Sequence, residues 1–250
     1  MSHPHVRPRL PALAALLGLL ALGAGGCFNP FRPLIAAERG LSSPPPAPNT
    51  PSNCIRLFEW CWQNRSEHEY RTVFTDDYRF LFAQGDSAGN TYRQQPWRRE
   101  DEMAMATNMF TGSIGRTPAR SITLSLDRTL VTFPDPRPGM NPIWHKTIRT
   151  SVSLQVQTGD EQSYEVTGFA SFFLVRGDSA AIPNELTQQG FVRDSTRWWI
   201  EEWDDETVTI GPGGTGSARP AGGPAAVRPA GAADLAPIPM SWGRVKAIWR

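Results

Sequence analysis

Apolar and polar positions along the chain fall into segments of different period. The first is a continuous apolar run, Leu10–Leu22, preceded by Arg7 and Arg9 and followed by Gly23-Ala24-Gly25-Gly26. Next, Cys54, Leu57, Phe58, Cys61 and Trp62 recur at i, i+3, i+4, i+7 and i+8, an amphipathic helical stripe. Thr50 is placed to cap this helix, Pro51 suits its first turn, and Asn64-Arg65 ends it. Ser66 with Glu69 is a capping-box spacing that opens a second, short helix, from which Tyr70, Val73 and Phe74 face inward. Thr75-Asp76-Asp77 reads as a turn and Tyr78, Phe80, Phe82 as an alternating strand, followed by a polar loop from Gly85 to Gln95.

Helical period returns over Pro96–Phe110. Glu100, Asp101 and Glu102 suit the positive end of the helix dipole, Met103, Ala106 and Phe110 form the buried stripe, and Gly112 is the stop. From there the period is two: Ile122/Leu124/Leu126, Val152/Leu154/Val156, then Tyr164/Val166. The pattern thickens through Phe169 and Phe172–Val175, as in a central strand covered on both faces, and Arg197–Trp203 is the last strand. The fold class predicted is α+β: about three N-terminal helices packed on one face of a curved antiparallel sheet.

Composition divides the chain. Residues 1–26 read as a secretory signal, since an apolar run of about 13 residues is short of the ~20 that span a bilayer. Residues 27–50 are a Pro-rich tether with polyproline II character. Residues 51–206 have globular composition, 207–240 are a Gly/Pro/Ala-rich linker expected to be disordered, and 241–250 form a basic amphipathic peptide. Over 51–206, 16 Arg and Lys stand against 22 Asp and Glu, whereas 207–250 carries five against one. An acidic domain is a poor match for nucleic acid, so no nucleic-acid partner is expected. In the last ten residues Trp242, Val245 and Trp249 share helical spacing beside Arg244, Lys246 and Arg250. Such a peptide could lie on anionic lipid, bind another protein, or dock on the acidic domain and close it.

Candidate chemistry is sparse. Cys54 and Cys61 lie about 10 Å apart on one helix face, too far for a disulfide and without metal-ligand spacing, so both are expected to be buried core residues and no metal is expected. There is no serine nucleophile elbow, Walker sequence or dinucleotide glycine pattern, and no cofactor is expected. His68 suits a solvated helix start, while His145 follows a Pro-rich loop at the mouth of a strand. The chain holds nine Trp, which either fill the interior or line an apolar pocket. Strict alternation puts Trp199 and Trp203 on one face of the last strand and Trp198 and Ile200 on the other. Lipid attachment is the remaining candidate. Cys27 directly after small residues resembles the lipobox of bacterial lipoproteins, with Ala24 where that family usually has Leu. The resemblance implies cleavage before Cys27, its acylation, and membrane anchoring; Phe28 favours the outer membrane. Plain secretion and an uncleaved anchor stay open.

Two further stretches carry a family resemblance. Phe58-Glu59-Trp60-Cys61-Trp62 through Tyr70–Phe80 resembles an opening in which two helices lead into a strand at F-x-x-D-Y/F. Arg197-Trp198-Trp199-Ile200 with Trp203-Asp204-Asp205 is similar to a closing strand R-W-x-I-x-x-W-x-D. Both belong to the nuclear transport factor 2-like superfamily, which includes the SnoaL-like cyclases. The resemblance implies a cone with an interior pocket, enzymes that use a buried carboxylate, His or Tyr, binders that use shape alone, and dimers formed through an apolar outer sheet face. It marks Tyr78, Trp62, Trp199 and His145 as possible pocket-lining residues. The expectation is an exported, lipid-anchored, non-catalytic domain that binds a small apolar ligand or a protein partner; the alternatives are a SnoaL-like isomerase, cyclase or hydrolase, or an assembly module formed as a homodimer.

Overall fold

A computed structural model describes residues 43–84, 86–87, 89–92, 95–177, 182–207 and 236–250. The signal, Cys27, the start of the tether and most of the Gly/Pro/Ala-rich linker lie outside the described residues.

Helix α1 (Pro51–Asn64) forms as the stripe predicts: Thr50 Oγ1 accepts from Asn53 N, and Arg65 leaves the helix in the left-handed region at φ 52°. Helix α2 (Glu67–Arg71) follows, but Ser66 makes no side-chain cap, so the capping box is not formed. Phe74 opens strand β1 (Phe74–Leu81), which absorbs Thr75-Asp76-Asp77; the expected turn is a strand with a register shift between Phe74 and Arg79. Phe82 lies past the end of β1. The loop after it contains a short helix, α3 (Gly89–Tyr92). The helix expected from Pro96 is split into β2 (Trp97–Arg98), paired with β1, and α4 (Arg99–Phe110). Strands β3 (Ser121–Leu126), β4 (Phe133–Pro134), β5 (His145–Gln157) and β6 (Ser163–Arg176) follow, then α5 (Asn184–Gln188) and β7 (Trp198–Thr207).

The sheet runs β2-β1-β7-β6-β5-β3, curved, with helices on its inner face. It is mixed rather than purely antiparallel, because β1 pairs with β7 in parallel. A parallel pair needs a long crossover, and the chain between β1 and β7 provides one. The start of the domain is stitched to its end: Trp198 N donates to Pro48 O at 2.8 Å, and Ile200 N to Val73 O at 2.9 Å. Helix α1 is fixed against β3 by Gln63 Nε2 on Leu124 O (2.7 Å) and Leu126 N on Glu59 Oε1 (2.9 Å). Cys54 and Cys61 are buried and free on α1, as expected; burial pushes the Cys54 thiol up to about 12.

The C-terminal residues are part of the domain. Strand β8 (Ile238–Pro239) pairs with β6, Met240 N donates to Glu165 O at 3.0 Å, and helix α6 (Trp242–Trp249) packs into the core. Both borders of the expected linker therefore shift: Thr207 ends β7, and the sheet resumes at Ile238. No helix among the described residues is long and apolar enough to cross a membrane.

Candidate functional site

Irregularities in β7 decide which side chains face inward. Trp199 pairs with Val175 and Ile200 with Leu174, but Phe173 opposes Glu202, so Glu201 is an extra residue in the strand. The bulge breaks strict alternation. Trp198, Ile200 and Trp203 all belong to the inner core, while Trp199 joins Val175 and Leu186 on the outer face. The expected pairing of Trp199 with Trp203 is thereby corrected, and Trp199 does not line the interior.

The interior is organised around Glu102. This residue lies on α4 in phase with Met105, Ala106, Met109 and Phe110, and its side chain is fully buried. Four donors reach it. Oε1 accepts from Tyr70 OH at 2.6 Å. Oε2 accepts from Tyr78 OH at 3.3 Å, Trp97 Nε1 at 2.8 Å and Lys246 Nζ at 2.7 Å. Trp62 Nε1 completes the network by donating to Tyr70 OH at 3.3 Å. Burial, and then the facing carboxylate, hold both phenols well above their ordinary range. Tyr78 and Trp62, two of the expected pocket residues, thus meet at one site. Glu102, Tyr70 and Lys246 complete it. Reading Glu102 as a helix-dipole charge concealed its role, although 102, 105, 106, 109 and 110 share one helical stripe.

Lys246 comes from α6. Its Nζ sits 3.6 Å from the Phe80 ring centroid, 3.5 Å from Trp203 and 6.0 Å from Trp97. The ammonium is fully buried in an aromatic box with one carboxylate; desolvation draws its pKa down to about 8 against the pull of Glu102. Trp242, also from α6, inserts between Trp203 (4.3 Å between ring centroids), Trp62 (5.3 Å) and Phe58 (5.9 Å). Asp205 receives the start of the helix: Gly243 N donates to Oδ2 at 2.8 Å, and Trp242 N donates to Thr207 Oγ1 at 2.8 Å. Ser241 Oγ accepts from Arg244 N as the helix cap and bonds Asp86. Asn108 Nδ2 reaches Trp249 O (2.7 Å), Arg116 Nη1 reaches Ile248 O (3.1 Å), and Arg250 Nε pairs with Asp101 Oδ1 (2.8 Å). Of the fates open to the basic peptide, the structure has it docked on its own domain.

His145, the fourth expected pocket residue, opens β5 on the outer face, opposite Val175. It is therefore not beside the interior. Its Nδ1 lies 3.8 Å from Glu201 Oε2. Asp135, His145 and Glu201 bring ligand atoms within 4.8 Å of one another, the one such set among the described residues. Arg137 already neutralises it: Nη2 donates to Asp135 Oδ2 at 2.7 Å and to Glu201 Oε2 at 2.6 Å, while Nη1 lies 3.3 Å from Glu202. The outer face continues with Arg79–Glu202 at 3.0 Å and Arg149–Glu206 at 2.8 Å, where Arg149 also lies over the exposed Phe169 ring and Arg137 over Phe173. His68 is exposed on α2, as expected.

Open grooves flank α6. One of about 800 Å³ is lined by Gly115, Thr117, Gly159, Ile248 and Trp249; another, of about 390 Å³, by Phe80, Phe82, Asp86, Gly89, Tyr92 and Pro96.

No family model matches the chain, and no curated protein does. Solved structures do. The chain is similar to a nuclear transport factor 2 (NTF2-like) superfamily protein from Salmonella enterica serovar Typhimurium at 15% identity and TM-score 0.39, over 66% of this chain and 92% of that one. It is similar to a conserved protein from Planctomyces limnophilus at 16% identity and TM-score 0.39, over 63% and 92%. An NTF2-like protein from Cytophaga hutchinsonii overlaps at 12% identity and TM-score 0.34, over 61% and 91%.

Proposed function

We propose that this chain is an exported, lipid-anchored binding domain that holds a small apolar ligand inside its sheet without transforming it, and that α6 closes the interior. One observation carries the reading: both oxygens of Glu102 are taken up by four protein donors, one of them Lys246 from the chain's own tail. A general base needs a lone pair facing its substrate. The side chains packed around Glu102 in the core are otherwise aromatic, Phe58, Trp62, Phe80 and Trp203, and with α6 displaced they would offer an apolar surface to a ring or chain. Export and anchoring rest on the signal pattern of residues 1–26 and on Cys27.

Lys246→Glu in the full-length chain tests the reading. A second buried carboxylate facing Glu102 should expel α6 and open the interior. Binding of an apolar fluorescent probe should then rise at least tenfold over wild type. A variant whose tail becomes protease-sensitive after Thr207, but whose probe binding stays at the wild-type level, excludes an apolar binding interior.

A second reading has one observation in its favour. Tyr70, Tyr78 and Trp97 converge on a carboxylate, so an interior freed of Lys246 would present acid, phenol and indole to a ring substrate. Turnover of a ring ketone by Lys246→Glu, absent in Glu102→Gln/Lys246→Glu, would favour this SnoaL-like enzyme.

A further inference from the structure

We propose that the aromatic box around Lys246 is an ammonium-binding site whose resident occupant is the chain's own tail, and that an alkylammonium compound with an apolar body takes the same place when α6 leaves. The inference rests on the binding reading above and specifies the chemistry of the ligand.

The box has what an organic cation needs. Two ring faces, Phe80 and Trp203, stand within 3.6 Å of Nζ, and Glu102 Oε2 accepts from it at 2.7 Å. Ring quadrupoles attract a desolvated cation, and the carboxylate supplies the opposite charge. The occupant is also chemically selected. Of 25 basic side chains only Lys146 and Lys246 are lysines, so arginine is this chain's usual cation. A lysine ammonium is the compact point charge of the two, with three donors to turn toward a carboxylate.

The site is not fully satisfied by the tail. Trp203 Nε1, buried in the ring that faces the ammonium, has no hydrogen-bond partner. A buried ion pair is weak evidence of a purely stabilising role, since an apolar replacement is often as stable. The groove of about 390 Å³ includes Phe80, so an apolar body attached to an ammonium in the box has a continuous surface on Phe82, Tyr92 and Pro96.

The path of the chain suits a removable occupant. The chain leaves the sheet at Thr207, rejoins it at Ile238, and Trp242 N donates back to Thr207 Oγ1 at 2.8 Å. Thirty residues, 208–237, join these two points of the sheet in the sequence. Because β8 holds the chain to β6 just before the helix, α6 stays at high effective concentration beside the box when it leaves it. The seat is close at one point: a Cβ on Gly243 would lie 2.4 Å from Phe82 Cδ1 and 2.9 Å from Cε1.

Two full-length variants test the proposal. Lys246→Ala keeps the other α6 contacts and removes a propylammonium-sized group. n-Propylammonium chloride should raise its thermal midpoint by several degrees, while equal n-propanol or sodium chloride should not; wild type should be indifferent. A folded Lys246→Ala protein that propylammonium does not stabilise overturns the site. Gly243→Leu leaves every box residue in place and loosens α6. n-Hexylammonium, followed by tryptophan emission, should half-saturate it at a concentration at least tenfold lower than wild type. Equal half-saturation in the two proteins overturns displacement, and this arm decides alone if Lys246→Ala does not fold. n-Hexanol separates the two levels of the argument. Hexanol binding Gly243→Leu as well as hexylammonium overturns the ammonium site and leaves the apolar binding reading standing; failure of both compounds removes both.

Discussion

Glu102 is buried with every oxygen supplied by donors, whereas Asp204, on the outer face of β7, keeps an Oδ1 that is buried and has no partner. Burial, then the like charges of Glu202 and Glu206, raise the Asp204 pKa from 3.8 to about 6, with Arg137 and Arg79 opposing. The folded chain therefore holds a proton there that the unfolded chain has lost. The contribution of Asp204 to stability is greatest below pH 4 and is lost as pH rises through about 6. Asp204→Asn should be more stable than wild type at pH 7 by on the order of 1 kcal/mol after allowance for solvent screening, and the gain should vanish near pH 4. Urea denaturation at the two pH values checks this; a gain of the same size at both would assign the effect to packing. The residues also differ in how readable they were. Helical period placed Trp62 inward, and the alternation of Tyr78 with Phe80 holds beyond the register shift that precedes Arg79 in β1. Glu102 was hidden because a carboxylate in a first helical turn has a sufficient local explanation. Its need for burial comes from Lys246, 144 positions later.

At the level of elements, the bulge in β7 is what period-two reading could not supply. Trp199 and Trp203 are four residues apart and would share a face in a regular strand, yet the extra residue sends them to opposite faces. The same feature makes a counterintuitive prediction. Deleting a residue inside a regular strand inverts every side chain beyond it. Deleting Glu201 instead removes the extra residue and leaves Trp198, Ile200 and Trp203 facing inward. The loss is the contact with Arg137 (2.6 Å), about 1–2 kcal/mol, and the protein should stay folded. Deletion of Asp204 should not be tolerated, because it turns Asp205 and Thr207 away from α6. Near-UV circular dichroism and thermal melting of the two deletions read this directly; equal damage would mean that the bulge does not set the faces. The parallel β1–β7 pairing was likewise illegible in local pattern, since it joins segments far apart in the chain. Helix α6 was legible from Trp242, Val245 and Trp249, because its stripe is intact over two turns.

For the whole molecule, the docked tail changes what is expected of the membrane. An amphipathic basic peptide with a free apolar face can lie in a lipid interface. Here Trp242, Val245 and Trp249 are buried, Lys246 is paired with Glu102, and Arg250 is paired with Asp101. The side chains that would enter lipid are turned into the chain's own core. In the reading proposed above, membrane attachment then falls to the N-terminus. A single acyl chain binds only marginally, whereas the lipobox resemblance implies more than one on Cys27. Cys27→Ser should move the full-length protein from the membrane fraction to the soluble fraction and abolish labelling by fatty acid, while Lys246→Glu should change neither relative to wild type. If Cys27→Ser stays with the membrane and Cys27→Ser/Trp242→Ala/Trp249→Ala leaves it, the tail is the anchor, and α6 must undock in the cell to serve as one. If Cys27→Ser alone is released, the tail belongs to the interior, and the ligand that displaces it is the question that binding experiments address.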